Sequence, residues 1–358
     1  MDAAALRAAY PVLEQTAYLN AGTCGPLPQA ALEQARASWE RATAVGRSKG
    51  YYERYAAVTP RLRDAYARLL GADAADVALT TSTTEGLIRV LGGLDLQPGD
   101  EVLTAPDEHP GLLGPLITLR ERRGITIRTA PLAELATAVG PQTALVACSH
   151  VSWTTGALAP AELAAVDVPV LLDGAQGVGA VPVDVEALGC AFYAGSGQKW
   201  LCGPVGTGML WIAPPWSGRV EPQALAYANL ADPNSGLQAT PWPDARRHDA
   251  ATIPVEQMEI ALASHDALDA SGWAAVHERA ETLAASLADA LRERGRTVAP
   301  RGPSTLVSWE SEDPVAEVAR LGEAGVVVRN LPTIPYVRAS VGAWNDASDL
   351  ERLLGALG

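Results

Sequence analysis

In YAGSGQKWLCGPVGTG, residues 193–208, stands one of only two lysines, Lys49 and Lys199, of a chain that otherwise carries its positive charge on arginine. Arginine stays protonated at any working pH. An amine with an ordinary pKa of about 10.4 can lose its proton to burial or neighbouring charge and then attack a carbonyl. Lys199 is therefore a candidate Schiff-base lysine; the alternative is a surface lysine on a glycine-rich loop. VLLDGAQ (170–176) closes an apolar run on Asp173, where a carboxylate is costly to desolvate unless something positive meets it. A protonated pyridine nitrogen is one such partner, and pyridoxal phosphate needs that pairing to accept electrons from a carbanion. A helix cap or an arginine partner is the other reading. TTSTTEG (80–86) sets the hydroxyls of Thr83 and Thr84 and free N–H groups where a strand gives way to a helix, a place for phosphate or for an ordinary N-cap. His109, in DEHPG, can lie flat over an aromatic cofactor or stand on the surface.

Seven short apolar runs precede or carry these residues: DVALTTS (76–82), DEVLTAP (100–106), ITIRTAP (125–131), TALVACSHVS (143–152), VPVLLDGA (168–175), CAFYAGSG (190–197) and GTGMLWI (206–212). Several are apolar on both faces, as strands covered by helices on either side must be. The expectation is an α/β fold with a mostly parallel sheet, and ligands in such sheets sit beyond the carboxyl ends of the strands. Residues 213–251 read as a long connection, and 273–295 as a helix with Val276, Ala280, Leu283, Leu287 and Leu291 at helical spacing. A second α/β unit follows, with strands near 304–309, 326–329 and 336–341 and helices near 314–324 and in DASDLERLLGAL. The expected division is an N-terminal segment, 1–15, packing with the smaller unit; a large cofactor-binding domain, 16–250; and a small C-terminal domain, 251–358.

Net charge is −14, from 27 basic and 41 acidic residues without a basic run, so no nucleic-acid partner is expected and a small molecule is the better substrate. No uncharged apolar stretch is long enough to span a membrane and the N-terminus has no leader pattern, so a cytosolic protein is expected. Cys24, Cys148, Cys190 and Cys202 are scattered, with no metal-ligand spacing and no disulfide framework, and read as reduced thiols.

A phosphate cradle, a ring-stacking histidine, a pyridine-nitrogen partner and a lysine in strand-end order form a set. With them the chain resembles the class V aminotransferase group of fold-type I pyridoxal phosphate enzymes. That group includes cysteine desulfurases, selenocysteine lyases, isopenicillin N epimerases and cysteine/cystine C–S lyases. The likeness runs from YLNAGTCGPLP (18–28) almost to the C-terminus, and its most specific pieces are DGAQ, SGQKW and GPVGTG. The resemblance implies a large domain with a mostly parallel seven-stranded sheet and a smaller C-terminal α/β domain. It implies that Lys199 carries the cofactor and later shuttles the α-proton, that Asp173 pairs with the ring nitrogen and Gln176 with the phenolic oxygen, and that His109 stacks on the ring. Thr83, Thr84, Ser196 and Gln198 would hold the phosphate; Gln198 departs from the family's usual histidine and cannot change charge. RRHDAAT (246–252) resembles the family's Arg-Phe-Glu-x-Gly-Thr, which makes Thr252 a phosphate contact across a homodimer interface.

Protein groups decide which reaction follows. Cysteine desulfurases need a thiol on a loop shortly before the substrate-binding arginine; here that stretch, VVVRNLPTIPYVRAS (326–340), has no cysteine. It offers Arg329 and Arg338, whose guanidinium forks suit carboxylates, although one of them can equally serve a structural ion pair. Two such arginines nine positions apart resemble the cysteine/cystine C–S lyases, with Asn20 and Trp153 as further substrate-facing residues. The expected reaction is β-elimination from cysteine, cystine or a related amino acid to pyruvate, ammonia and a thiol or persulfide. The alternatives are an aminotransferase, an epimerase or a cysteine-conjugate sulfoxide lyase.

Overall fold

A computed structural model describes all 358 residues, Met1–Gly358. After a two-residue strand β1 (Ala17–Tyr18), all seven apolar runs form strands: β2 (Val77–Thr80), β3 (Glu101–Thr104), β4 (Thr126–Thr129), β5 (Thr143–Ser149), β6 (Val170–Asp173), β7 (Phe192–Ser196) and β8 (Gly208–Ile212). They make one sheet in the order β2-β8-β7-β6-β5-β3-β4. Every neighbouring pair is parallel except those of β8, which runs antiparallel to both β2 and β7.

Successive residues of a strand point to opposite faces, and both faces here are covered. Leu79, Leu103, Val146, Leu172, Tyr193 and Trp211 pack on one side with Leu62 and Tyr66 of the helix Lys49–Leu70 and Met258 of the helix Val255–Asp269. Ala78, Val102, Leu145, Leu171, Phe192 and Leu210 pack on the other with Leu87 and Val90 of the helix Thr83–Gly93 and Leu112 and Leu116 of the helix Pro110–Arg123. The edge strand β4 is the exception, half-buried to exposed along its length. The helix Val255–Asp269 follows residue 251 in sequence yet lies against the helices Gln29–Val45 and Lys49–Leu70, on the large sheet's side.

A smaller antiparallel sheet is built from β9 (Leu306–Glu310), β11 (Arg329–Asn330) and β12 (Tyr336–Ser340), in the order β11-β12-β9. The single strand expected near 326–329 is instead two. Val326–Val327, β10, pairs in parallel with β1, and Arg329–Asn330 pairs with β12. Val328 between them is buried in the core that the helix Trp273–Glu293 and the terminal helix Ala347–Leu357 share. Competing partners for the backbone, rather than a turn residue, break the run. The first residues lean on this unit: Arg7 pairs with Asp349 at 2.6 Å and Asp346 at 3.2 Å, and Tyr10 lies 5.2 Å from Trp344.

Candidate active site

Strands β2, β3, β5, β6 and β7 run in the same direction, so their carboxyl ends open on one edge of the sheet. A polar cavity of about 170 Å³ lies there. It brings together eleven of the residues singled out from the sequence: Thr83, Thr84, His109, Trp153, Asp173, Gln176, Ser196, Gln198, Lys199, Arg329 and Arg338.

Lys199 follows β7 in a turn. Burial, against the pull of Asp173, lowers its ammonium to about 8, and Arg338 and Arg329 add to the effect. Asp173, the last residue of β6, is buried, and one oxygen accepts the Ala175 N–H at 2.9 Å. Burial raises its pKa, with Lys199 and that N–H opposing. A desolvated carboxylate so placed calls for a cationic partner inside the cavity. Gln176 is fixed at both ends of its amide. Trp200 Nε1 can only donate, so it sets Oε1 at 2.9 Å, which leaves Nε2 to donate to the Gly22 carbonyl at 2.8 Å with one hydrogen to spare.

His109 caps the helix Pro110–Arg123, its Nδ1 accepting the Gly111 N–H at 3.0 Å, so the ring proton sits on Nε2. Burial first, then the charges of Lys199, Arg329 and Arg338, lower its pKa to about 4, and the ring is neutral at pH 7. Trp153 meets it edge-on, centroids 5.2 Å apart at 88°.

At the other end of the cavity, Ser82 caps the helix Thr83–Gly93 by accepting the Glu85 N–H at 3.1 Å. The N–H groups of the first turn at Thr83 and Thr84 are left to the cavity, the arrangement in which helix N-termini take anions. The Thr83 and Ser196 hydroxyls and the Gln198 amide oxygen are buried without a protein partner. Arg329 and Arg338 face each other across β11 and β12, Cα partners in the register. Arg338 is fully buried and donates one nitrogen to the Trp153 carbonyl at 2.7 Å, while its Nε and Nη2 have no partner. Burial, then Arg329, lowers its pKa to about 9, so it remains charged at pH 7. Arg329 donates to the Thr23 hydroxyl at 3.2 Å. Neither arginine has a carboxylate within ion-pair distance.

Two residues singled out from the sequence stand off this wall. Asn20 bridges to Ser340 and accepts from the Thr23 hydroxyl at 2.8 Å, one layer behind the cavity. Thr252 is exposed and lines a separate cavity of about 930 Å³ with Tyr51, Tyr55 and Trp242. Conversely, Gly22, Thr23, Ser82 and Ala175 line the polar cavity without having been singled out as site residues. Gly22 and Thr23 lie in YLNAGTCGPLP and Ala175 in DGAQ, so the motifs carried the signal that single residues did not.

The orphaned hydroxyls and first-turn N–H groups fit a phosphate, the buried Asp173 fits a protonated ring nitrogen, and the depressed Lys199 amine fits a carbonyl. Comparison with known proteins points to the same cofactor. The family profile described as Aminotransferase class-V matches residues 17–353. The chain belongs to the class-V aminotransferase family. As a class-V aminotransferase relative it is an enzyme with pyridoxal phosphate as cofactor. Isopenicillin N epimerase of Streptomyces clavuligerus is 29% identical over 382 residues, 95% of this chain and 93% of that protein. A probable cysteine desulfurase of Pseudomonas aeruginosa is 34% identical over 320 residues, 79% and 77% of the two chains. Among solved structures, the cystine C–S lyase C-DES in complex with its reaction product cysteine persulfide superposes with a TM-score of 0.90 at 28% identity, covering 97% of this chain and 98% of that one. A C-DES mutant with glycine covalently linked to the pyridoxal phosphate cofactor gives 0.91 at 29% identity over 98% of each chain.

Proposed function

We propose that the protein is a C–S lyase that breaks the Cβ–S bond of cysteine, cystine or a related sulfur amino acid, giving pyruvate, ammonia and a thiol or persulfide. The observation that carries this reading is the facing pair Arg329 and Arg338, both on the wall that also holds Lys199, both without a carboxylate partner. Two cations so placed suit a substrate with two carboxylates, such as a disulfide-linked amino acid. The absence of cysteine from 326–340 argues against desulfuration through a protein thiol on that segment, and the likeness to a cystine C–S lyase supports elimination.

Pyridoxal phosphate, when bound, supplies an electron sink for the pair released when the Cα–H bond breaks. In this reading Lys199 Nζ holds the cofactor at rest and takes the substrate's α-proton afterwards, a task suited to an amine whose burial brings its pKa to about 8. Asp173 would keep the ring nitrogen protonated, Gln176 would donate its spare hydrogen to the phenolic oxygen, and the neutral His109 would pack against the ring. Thr83, Thr84, Ser196 and Gln198 would hold the phosphate. Arg338 grips the α-carboxylate, so the Cα–H bond is presented to Lys199, and Arg329 takes the second carboxylate. Trp153 walls the pocket and fixes Arg338 through its carbonyl, while Asn20 acts through Thr23. Sulfur leaves Cβ with the electron pair of its bond, and water completes the conversion to pyruvate and ammonia. Elimination from a cysteine-conjugate sulfoxide would use the same groups.

The protein works, in this proposal, as a homodimer in which Thr252 reaches the phosphate site of the neighbouring copy. Its exposed position, away from its own chain's catalytic cavity, supports that role. The epimerase relative, matched over 95% of the chain, favours a second reading in which the α-proton is removed and returned. Incubation with cystine decides between them: the expected outcome is stoichiometric pyruvate and a persulfide. Exchange of the α-hydrogen in D2O without pyruvate, or amination of an added 2-oxo acid, would overturn the lyase.

A further inference from the structure

Beside the cavity, behind its wall, lies a carboxyl group that the chemistry above does not use. Glu108 is buried in the loop after β3, one residue before His109. Its Oε1 accepts the Ser149 N–H at 2.8 Å, and its Oε2 meets the Ser149 hydroxyl in a very close hydrogen bond. Ser149 ends β5 opposite Asp173 in the register with β6, and the next N–H, that of His150, donates to the Asp173 carbonyl at 2.9 Å. Asp107 ties the same two stretches together. Its carbonyl accepts the Trp153 indole N–H at 2.8 Å, and its carboxylate accepts the Thr154 hydroxyl at 2.9 Å. The loop that carries His109 is thus clipped to the strand end beside Asp173. Nothing cationic pairs with Glu108; the charged groups it feels most are Asp173 from β6 and Asp107 in its own loop, and Cys148 of β5 feels its charge in turn.

We propose that Glu108 is a positioning residue of the cofactor site, an uncharged carboxylic acid that fixes His109 relative to Asp173 and leaves Asp173 as the single buried negative charge at that strand end. The inference rests on the reading of His109 and Asp173 as cofactor-holding groups. The carboxyl group accepts from Ser149 at two points, the N–H on Oε1 and the hydroxyl on Oε2, and its ionisation would set a second buried charge beside Asp173. Burial, opposed by the two Ser149 hydrogen bonds and reinforced by Asp173 and Asp107, raises the Glu108 pKa to about 8. In the unfolded chain it is about 4.3. The folded value is the higher one, so the group's contribution to stability is complete below about pH 4.3 and is lost as pH rises through about 8. Among its neighbours, His109 and His150 stay neutral from pH 5 upward, the Cys148 thiol is pushed well above its ordinary value, and Lys199 titrates near 8.

Glutamine mimics the neutral acid and cannot ionise, so Glu108→Gln is compared with the wild type without cofactor, where Lys199 titrates alike in both. The melting temperature of Glu108→Gln is expected to gain on that of the wild type by several degrees between pH 5 and 8 and to hold level above. A gap that is the same at every pH, or a glutamine variant less stable throughout, overturns the uncharged acid. After loading with pyridoxal phosphate, Glu108→Ala is expected to lose most of the induced circular dichroism of the bound cofactor, Ser149→Ala part of it, and Glu108→Gln to keep it. A full-strength signal in Glu108→Ala, or in Ser149→Ala should the former not fold, overturns the positioning role. A wild type that binds no cofactor would instead sink the functional reading, and the melting comparison on unloaded protein would still judge the acid.

Discussion

Lys199 gathers opposing influences in one amine. Burial and two guanidiniums press its proton off, and a single carboxylate holds it on. Below about pH 8 the ammonium dominates and cannot attack; above it the free amine is present. Cofactor-free protein is therefore expected to capture pyridoxal phosphate at a rate that climbs through about pH 8 and then levels off, followed by the visible absorbance of the complex. An amine with the ordinary pKa would still be gaining rate at pH 10. Lys199→Ala should lose that absorbance and all turnover while keeping its melting temperature within a few degrees, because the change removes a desolvated charge as well as packing. Full activity in the variant would contradict the covalent role. Glu108 marks the limit of reading single residues: in sequence it stands between Asp107 and His109 as one more loop acid, and only the fold reveals that it is enclosed.

The segment Asn20–Gly25 shows how a short loop sets a reactive group. Gly25 donates its N–H to the Gln198 carbonyl at 2.8 Å, and a Cβ on Gly25 would overlap the Lys199 carbonyl and come within 2.9 Å of Cys202 Sγ. Close backbone approach of this kind leaves room only for glycine. Gly25→Ala is expected to cost about 1–3 kcal/mol in chemical denaturation and to weaken cofactor retention by moving Lys199. Gly322→Ala, where an added methyl meets open space on a helix, should gain about 0.5–1 kcal/mol with no such weakening. The large sheet was legible from the sequence because strands such as β6 and β7 are buried on both faces, and continuous apolar runs record that directly. The break at Val328 was not, because it depends on β1, some three hundred residues earlier, claiming the backbone of Val326 and Val327. The cavity wall was legible where a residue ends a strand, as Asp173 and Ser196 do. The second-layer position of Asn20 follows from how the loop folds back on Thr23, which spacing along the chain does not encode.

At the scale of the whole molecule, several of the exposed large apolar side chains, Trp39, Val45, Tyr52, Tyr227 and Leu237, stand on the first two long helices and the connection after β8. Tyr52 and Tyr227 also line the cavity beside Thr252. A surface of that character normally meets another protein face. Light scattering is expected to return twice the chain mass, and Tyr52→Glu to yield single chains that lose turnover although each retains Lys199, Asp173 and Arg338. A monomeric wild type with full activity would refute the shared site.

The pairing of Ala17–Tyr18 with Val326–Val327 has a consequence for biosynthesis. The loop bearing Thr23 and Gly25 is anchored by a stretch the ribosome makes long after it, and Arg329 and Arg338 emerge later still. A truncated or half-translated polypeptide can form much of the central sheet yet has nothing to seat its early residues over Lys199. Vitamin capture at Lys199 is thereby expected to wait for residues 326–338, and chains that lack them to have little means of sequestering the vitamin.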